Sequence, residues 1–135
     1  MKLVVDTSAI VAILRAEVDA GRIVEVLGQA EERIMSSAAY LETGIVMAND
    51  KTSDGTERLQ RLMLSLDIRV ADFTRVEAEE GMLAHRRFGR GSGHPAKLNF
   101  GDCFSYALAR TLSLPLLFKG DDFIHTDIEP ALKPA

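Results

Sequence analysis

Short runs of branched apolar residues alternate along the chain with longer stretches in which apolar residues recur every three or four positions. The first run, Lys2 to Val5, is typical of a buried strand, and Ala9 to Leu27 then shows helical spacing. Arg33 to Ser36 predicts a second strand, and Ala38 to Asn49 predicts a helix after it. The first third of the chain therefore alternates strand with helix.

The rest of the chain continues this alternation. Residues 52–54, Thr-Ser-Asp, together with Glu57, resemble a helix start signal of the capping-box kind. The later predicted elements are a third strand over Ile68 to Val70, a helix over Asp72 to Phe88, a helix from Asn99 or Gly101 to about Leu112, and a fourth strand over Leu114 to Phe118. The tail from Pro130 to Ala135 is expected to fray.

The predicted strands are apolar throughout and are separated by helices, which is typical of a parallel sheet covered on both faces. We therefore predict a three-layer α/β fold, helices on either side of a short, mainly parallel central sheet. The chain has 135 residues, 47% of them hydrophobic, with a mean hydropathy of +0.04. This length and composition predict a single globular domain over residues 1–135.

The apolar runs are too short for a membrane protein or a secreted one. The longest, Ala9 to Leu14, has six residues, so neither a spanning helix nor a signal peptide is expected. The one cysteine, Cys103, has no partner for an intrachain disulfide. We expect a cytoplasmic protein without membrane contact.

The charge distribution is uneven although the net charge is only −4. Between Gly81 and Gly101 there are two histidines and no acidic residue, together with the basic residues Arg86, Arg87, Arg90 and Lys97. Such a stretch could contact a phosphate backbone, but a solvated, mobile loop explains it equally well. The glycines there lack the spacing of a nucleotide-binding loop, and their presence favours flexibility.

Four acidic residues occupy positions from which ligand sites are commonly built. Asp6 and Asp121 follow the first and fourth strands, and the carboxyl ends of parallel strands lie at one edge of a sheet. Asp102 falls in the first turn of a helix, and Glu42 lies near the edge of an apolar helix face. Each acid alone is equally typical of a helix cap, a turn or a solvated surface.

Taken together, the four acids indicate a different chemistry. Carboxylates gathered in one pocket repel each other unless a cation neutralises them. An all-oxygen site favours Mg²⁺ or Mn²⁺ over zinc. Hydrolysis of a phosphodiester by metal-activated water is the reaction that suits such a site.

Four segments of the sequence resemble a known family. They are Leu3 to Ala9 (LVVDTSA), Ala39 to Thr43 (AYLET), Leu98 to Ala109 (LNFGDCFSYALA) and Leu116 to Phe123 (LLFKGDDF). In this order and at these separations they resemble the PIN-domain ribonucleases, and within that family the VapC toxins of bacterial toxin–antitoxin pairs. The resemblance covers nearly the whole chain.

The resemblance implies a Mg²⁺- or Mn²⁺-dependent endoribonuclease and assigns roles to individual residues. Its acidic pocket would consist of Asp6, Glu42, Asp102 and Asp121, with Asp6 and Asp102 as the main metal ligands. Ser8 would support the first Asp. Many PIN domains have Thr or Ser just before the last acid, where this chain has Phe118 and Lys119. Asp122 is therefore an alternative to Asp121.

The resemblance also implies partners. RNA would be the substrate, with flanking phosphates held by Arg86, Arg87, Arg90 and Lys97. A VapB-type antitoxin would bind the toxin, and the toxin is expected to pair with itself. The predicted apolar stretches Ile10 to Leu14 and Leu41 to Met47, in which Leu41 and Ile45 lie four apart, are candidate surfaces for either contact.

Other classes on similar folds fit the sequence less well. A receiver domain needs paired acids after its first strand, but Asp6 stands alone. A haloacid-dehalogenase-type phosphatase needs a second Asp at the position of Ser8. A non-toxin PIN-like nuclease, or an RNA-binding module without catalytic activity, remains the alternative.

Overall fold

The computed structural model describes residues 1–51 and 54–133, in which a four-stranded sheet carries six helices. In chain order the elements are β1 (Lys2–Val5), α1 (Thr7–Leu14), α2 (Ala20–Gln29), β2 (Glu32–Ser36), α3 (Ser37–Ala48), α4 (Gly55–Ser65), β3 (Ile68–Ala71), α5 (Arg75–Phe88), α6 (Phe100–Leu112) and β4 (Leu116–Leu117). Helix α5 starts later than predicted because Thr74 caps it, forming a reciprocal capping box with Glu77. Within the described residues, no helix combines the length and apolar character needed to cross a membrane.

All four strands are parallel and lie in the order β3-β2-β1-β4. Strand β1 is central, since Val4 is paired with Ile34 of β2 on one side and Leu116 of β4 on the other. The residues that follow β1 and β4 therefore emerge side by side at the carboxyl edge of the sheet. Asp6 is one of them, and its N–H donates to the carbonyl of Leu117 at 2.9 Å.

Side chains of β1 alternate between two hydrophobic cores, one on each face of the sheet. Leu3 and Val5 pack into the core that includes residues of α1 to α4. Val4 packs into the second core, with Phe88 of α5 and Tyr106 of α6. Burial of apolar area on both faces is the main stabilising contribution to this arrangement. The predicted three-layer α/β fold is confirmed.

The predicted apolar face of helix α3 is wrong. Leu41 and Ile45 are 64% and 55% exposed, although their spacing suggested burial. The side chains that α3 buries are Ala39, Thr43 and Met47. A repeat of four residues fits more than one face of a helix, and here the small Ala39 and Thr43 allow α3 to pack closely on the rest of the protein.

The C-terminal segment is anchored rather than frayed as far as Ala131. Leu116 donates its N–H to Glu129 and accepts the N–H of Ala131, both at 2.9 Å. Pro134 and Ala135 of the predicted tail lie outside the described residues, as do Thr52 and Ser53 of the predicted start signal. Asp54 precedes α4 as its N-cap but makes no capping hydrogen bond through its side chain.

Candidate active site at the carboxyl edge of the sheet

The Asp6 carboxylate is held in place at the end of β1. Asp6 caps α1, is only 4% exposed, and accepts hydrogen bonds at Oδ2 from the Ser8 N–H at 3.0 Å and the Ser8 hydroxyl at 2.6 Å. The Ser8 oxygen in turn accepts the N–H of Lys119, just after β4, at 2.9 Å. Within the described residues no hydrogen bond reaches Oδ1 of Asp6, so that oxygen is free for another ligand.

Two threonines that the sequence analysis did not select orient Glu42. The Thr7 hydroxyl donates to Oε1 of Glu42 at 2.8 Å. The fully buried Thr43 hydroxyl lies 3.0 Å from the Thr7 oxygen and 2.7 Å from the carbonyl oxygen of Ala39. The sequence signal that could have identified these threonines is their position, since each directly follows one of the predicted acids.

Gly101 is predicted only as a helix start and as part of a motif, but its missing side chain is what admits Glu42. A Cβ atom built at Gly101 would lie 1.8 Å from Oε2 of Glu42. The Glu42 carboxylate therefore occupies the space beside the first turn of α6 that any other residue would fill. Helix α3 and helix α6 meet through this contact.

Asp102 is fixed by the start of α6. Asn99 accepts the N–H of Asp102 at its side-chain oxygen at 2.8 Å, and Oδ2 of Asp102 accepts the N–H of Asn99 at 3.0 Å. This reciprocal capping box satisfies two otherwise unpaired helix donors. It also prevents the Asp102 carboxylate from turning away into solvent.

The acids influence each other's protonation. The pKa of Asp102 is raised to about 7, mainly by burial and to a smaller extent by the neighbouring carboxylates of Asp6 and Asp122. The hydrogen bond from the Asn99 N–H acts in the opposite direction. Burial also raises the pKa of Glu42, with a contribution from Asp6 and an opposing one from the Thr7 hydroxyl. Asp6, Glu42 and Asp102 therefore share one electrostatic environment.

The two adjacent aspartates after β4, Asp121 and Asp122, are both exposed and both line a neighbouring cleft. They differ in their effect on the other acids. Asp122 contributes to the raised pKa of Asp102. The structure therefore couples Asp122 to Asp102, although Asp121 was predicted as the fourth acid.

The four carboxylates form an open arrangement. Across residues 1–51 and 54–133, no group of three or more His, Cys, Asp or Glu side chains converges tightly enough to form a ready-made metal cage. The chemistry of the donors nevertheless fits a hard cation, because the side chains that interact here are all carboxylates and two of them have raised pKa values. A cation would stabilise the ionised carboxylates, which burial and, to a smaller extent, mutual repulsion disfavour.

The four predicted RNA-binding residues lie in three different settings. Arg87 is engaged in the fold, 3.6 Å from the Asp127 carboxylate and stacked 4.6 Å from the centre of the Phe88 ring. Arg86 lines an apolar groove between α5 and α6. Arg90 and Lys97 line the cleft that also contains Asp121. The acidic site is therefore bordered by two of the four.

The PIN domain profile matches residues 3–129, so the chain belongs to the PIN-domain family. Within that family its relatives are VapC ribonucleases. It is 47% identical over 130 residues to ribonuclease VapC28 of Mycobacterium tuberculosis, covering 96% of this chain and 98% of the relative. It is 43% identical over 129 residues to ribonuclease VapC42 of the same species, with the same coverage.

Solved structures share the fold at low sequence identity. The VapC20 toxin of Mycobacterium tuberculosis, described as cleaving the sarcin–ricin loop, superposes with a TM-score of 0.78 at 16% identity, covering 98% of this chain and 100% of the other. A toxin–antitoxin complex from Klebsiella pneumoniae gives a TM-score of 0.71, also at 16% identity, with the same coverage. Both likenesses show the same three-layer architecture.

Proposed function

We propose that this protein is the toxin of a type II toxin–antitoxin pair and acts as a divalent-metal-dependent endoribonuclease. One observation carries the proposal: the Asp6 carboxylate at the sheet edge acts on both Glu42 and Asp102, which arrive from two other elements. The similarity to VapC ribonucleases along 96% of the chain supplies the substrate class. Residues 1–135 would form a single catalytic domain.

The acids suit Mg²⁺ or Mn²⁺. Asp6, through its free Oδ1, and Asp102 would be the main ligands, with Glu42 completing the site and Asp122 as the fourth acid in place of Asp121. A bound ion of this kind lowers the pKa of a coordinated water and neutralises charge on the phosphate. Asp122 is preferred because its charge acts on Asp102, and among the described residues no such effect of Asp121 is found.

The protein's own residues prepare the site. The Ser8 hydroxyl orients the Asp6 carboxylate, and by accepting the N–H of Lys119 it connects Asp6 to the chain after β4. Thr7 points Glu42 at the space beside Gly101. Positioned carboxylates of this kind reduce the rearrangement needed when substrate binds. Arg90 and Lys97 would hold phosphates on one side of the cut.

An antitoxin partner is supported by the structural neighbour that is itself a toxin–antitoxin complex. The predicted contact surface at Ile10 to Leu14 is unsuitable, because Ile10, Val11, Ala12 and Leu14 are buried in the core. Leu41 and Ile45 instead border an open groove of about 400 Å³ between α3 and α4. We propose this exposed apolar strip as a surface for the antitoxin or for self-pairing.

The function is tested by producing the wild type and Asp6→Asn without a partner and mapping new RNA 5′ ends in the cells. Only the wild type is expected to slow growth and create new ends. Asp67→Asn is the matched control, because Asp67 is exposed, remote from the sheet edge, and in a left-handed conformation that Asn tolerates well (φ 50°). Identical growth and RNA ends for wild type and Asp6→Asn would contradict the proposal.

A further inference from the structure

A cleft of about 680 Å³ lies beside the acidic site, between the loop after α5 and the turn after β4. The charged and titratable side chains that line it are Arg90, His94, Lys97, Asp121, Asp122 and His125. We propose that this cleft binds one nucleotide of the RNA next to the scissile phosphate, with His94 as a positioning residue. The inference rests on the proposed nuclease function and adds a defined substrate subsite to it.

The loop that forms one wall is closed at its base by backbone hydrogen bonds. Leu98 donates its N–H to the carbonyl of Phe88 at 2.9 Å and accepts the N–H of Arg90 at 3.0 Å, which closes the loop at its base. Within it, the Ser92 hydroxyl donates to the carbonyl of Gly89 at 2.6 Å. A loop closed in this way presents its side chains in fixed directions.

His94 has the most restrained side chain in the cleft wall. Its Nδ1 accepts the N–H of Ala96 at 3.1 Å, and its ring meets Phe88 edge to face with centroids 4.9 Å apart. A neutral imidazole whose Nδ1 accepts a hydrogen bond carries its proton on Nε2. His94 therefore offers a single N–H donor of set orientation, and in the described residues no acceptor for it is present.

The cations of the cleft are available to a ligand. Unlike Arg87, which pairs with Asp127, neither Arg90 nor Lys97 forms an ion pair with any residue that the structure describes. On a protein with a net charge of −4, two unpaired cations beside a carboxylate site attract the phosphates of a polyanion. Arg90 and Lys97 attract the phosphate charge, and the His94 N–H fixes the orientation of the bound nucleotide.

The position of the cleft selects a nucleotide of the bound strand rather than an unrelated small molecule. Asp122 borders the cleft and its negative charge acts on Asp102, so the cleft is adjacent to the acidic site. A strand whose scissile phosphate lies at the acids must continue into neighbouring space, and this opening is of the size usual for ligand sites. Its mixture of cations and a hydrogen-bond donor matches a sugar–phosphate unit.

The test measures equilibrium binding of a fluorescein-labelled single-stranded RNA of twelve nucleotides by anisotropy, in EDTA so that no cleavage occurs. Arg90→Ala and Lys97→Ala should each weaken binding about fivefold and reduce the slope of log K against log salt by about 0.7, the value for one lost phosphate contact. His94→Asn should weaken binding by a similar factor with the slope unchanged. Asn can still accept the Ala96 N–H, so the loop remains supported while the Nε2 donor is lost.

The control is Arg61→Ala, which removes an exposed cation of α4 outside the cleft and should leave affinity unchanged. If all three cleft variants bind RNA as the wild type does, the subsite is refuted while the nuclease proposal stands. If His94→Asn binds normally and His94→Ala does not, His94 only supports the loop and its positioning role is refuted. Absence of RNA cleavage by the wild type with Mn²⁺ would overturn the nuclease function itself, a result separable from either of these.

Discussion

Asp6 and Asp102 interact electrostatically, but their carboxylates receive different hydrogen-bond support. Asp6 receives two hydrogen bonds from Ser8 at one oxygen. Asp102 receives one from the Asn99 N–H, and burial with nearby Asp6 and Asp122 raises its pKa to about 7. The protein thus supplies one carboxylate with two hydrogen-bond donors and holds the other, partly buried, near two further carboxylates.

This difference in surroundings indicates that the acids have different roles, although all of them are carboxylates. A carboxylate held near other negative charges lowers the stability of the fold. Such losses of stability are common at functional sites, where the arrangement serves binding or catalysis. Asp102 is in this situation, and Asp122, although exposed, is one of the charges that act on it. Changes at these positions should therefore give unequal effects.

The largest effect is expected from removing the negative charge of Asp102 or of Asp122. Asp102→Asn and Asp122→Asn should each lower the single-turnover rate of RNA cleavage with Mn²⁺ by about a thousandfold, since both charges would act at the metal. Asp121→Asn should lower it by less than about tenfold, because only the substrate cleft is touched. A larger loss for Asp121→Asn than for Asp122→Asn would reverse this assignment.

Gly101→Ala should damage the site without damaging the fold. The new methyl group would displace the Glu42 carboxylate, whose Oε2 would be only 1.8 Å away, but a carboxylate at the end of a flexible side chain can move. We expect cleavage to fall about a hundredfold while the free energy of unfolding changes by less than about 1 kcal/mol, as alanine also favours the helix. Chemical denaturation alongside kinetics checks this. Loss of folding with the activity would show that Gly101 is needed only for packing.

Thr7→Val removes the hydroxyl that orients Glu42 while preserving the side chain's shape. Cleavage should fall about tenfold, because the Glu42 carboxylate loses its donor. Thr7→Ser should restore most of the rate. The assay is single-turnover cleavage at saturating RNA, and equal rates for Val and Ser at this position would rule out the orienting role.

The smallest effect concerns stability and pH in the metal-free protein. An ordinary Asp has a pKa of about 4. With its folded pKa raised to about 7, Asp102 binds more protons in the folded state across that range. Its contribution to stability is therefore complete at low pH and is lost as the pH rises to about 7. In EDTA, the advantage of Asp102→Asn over the wild type in urea unfolding should grow by about 2 kcal/mol from pH 5 to pH 8, somewhat less than the full pKa difference implies because solvent partly screens Asp102. A constant difference would mean that Asp102 ionises normally.

Much of the fold could be predicted from the sequence because each strand is a separate apolar run. The strands at Lys2–Val5 and Glu32–Ser36 were located within a residue, and parallel pairing followed from the helices between them. The face of α3 was not predictable in this way. Which side of an amphipathic repeat is buried depends on neighbours that the local pattern does not contain, and Leu41 was left exposed.

The acids of the site could be predicted from the sequence, but the residues that position their carboxylates could not. Asp6 could be placed at the sheet edge because it directly follows a strand. Thr7 contacts Glu42 across 35 residues of chain, and no local pattern announces such a bond. The choice between Asp121 and Asp122 depends on the turn that follows β4, where Gly120 has a φ of +100°. Adjacent residues of the same type cannot be told apart before that geometry is known.

The central claim, that these acids together hold one kind of hard cation, is tested most directly by calorimetric titration of Mn²⁺ into the metal-free protein at pH 7.5. The wild type and the Asp67→Asn control should show the same saturable binding, and Asp102→Asn should weaken it by at least about tenfold. Binding that is equally tight in Asp102→Asn and the wild type would contradict the account.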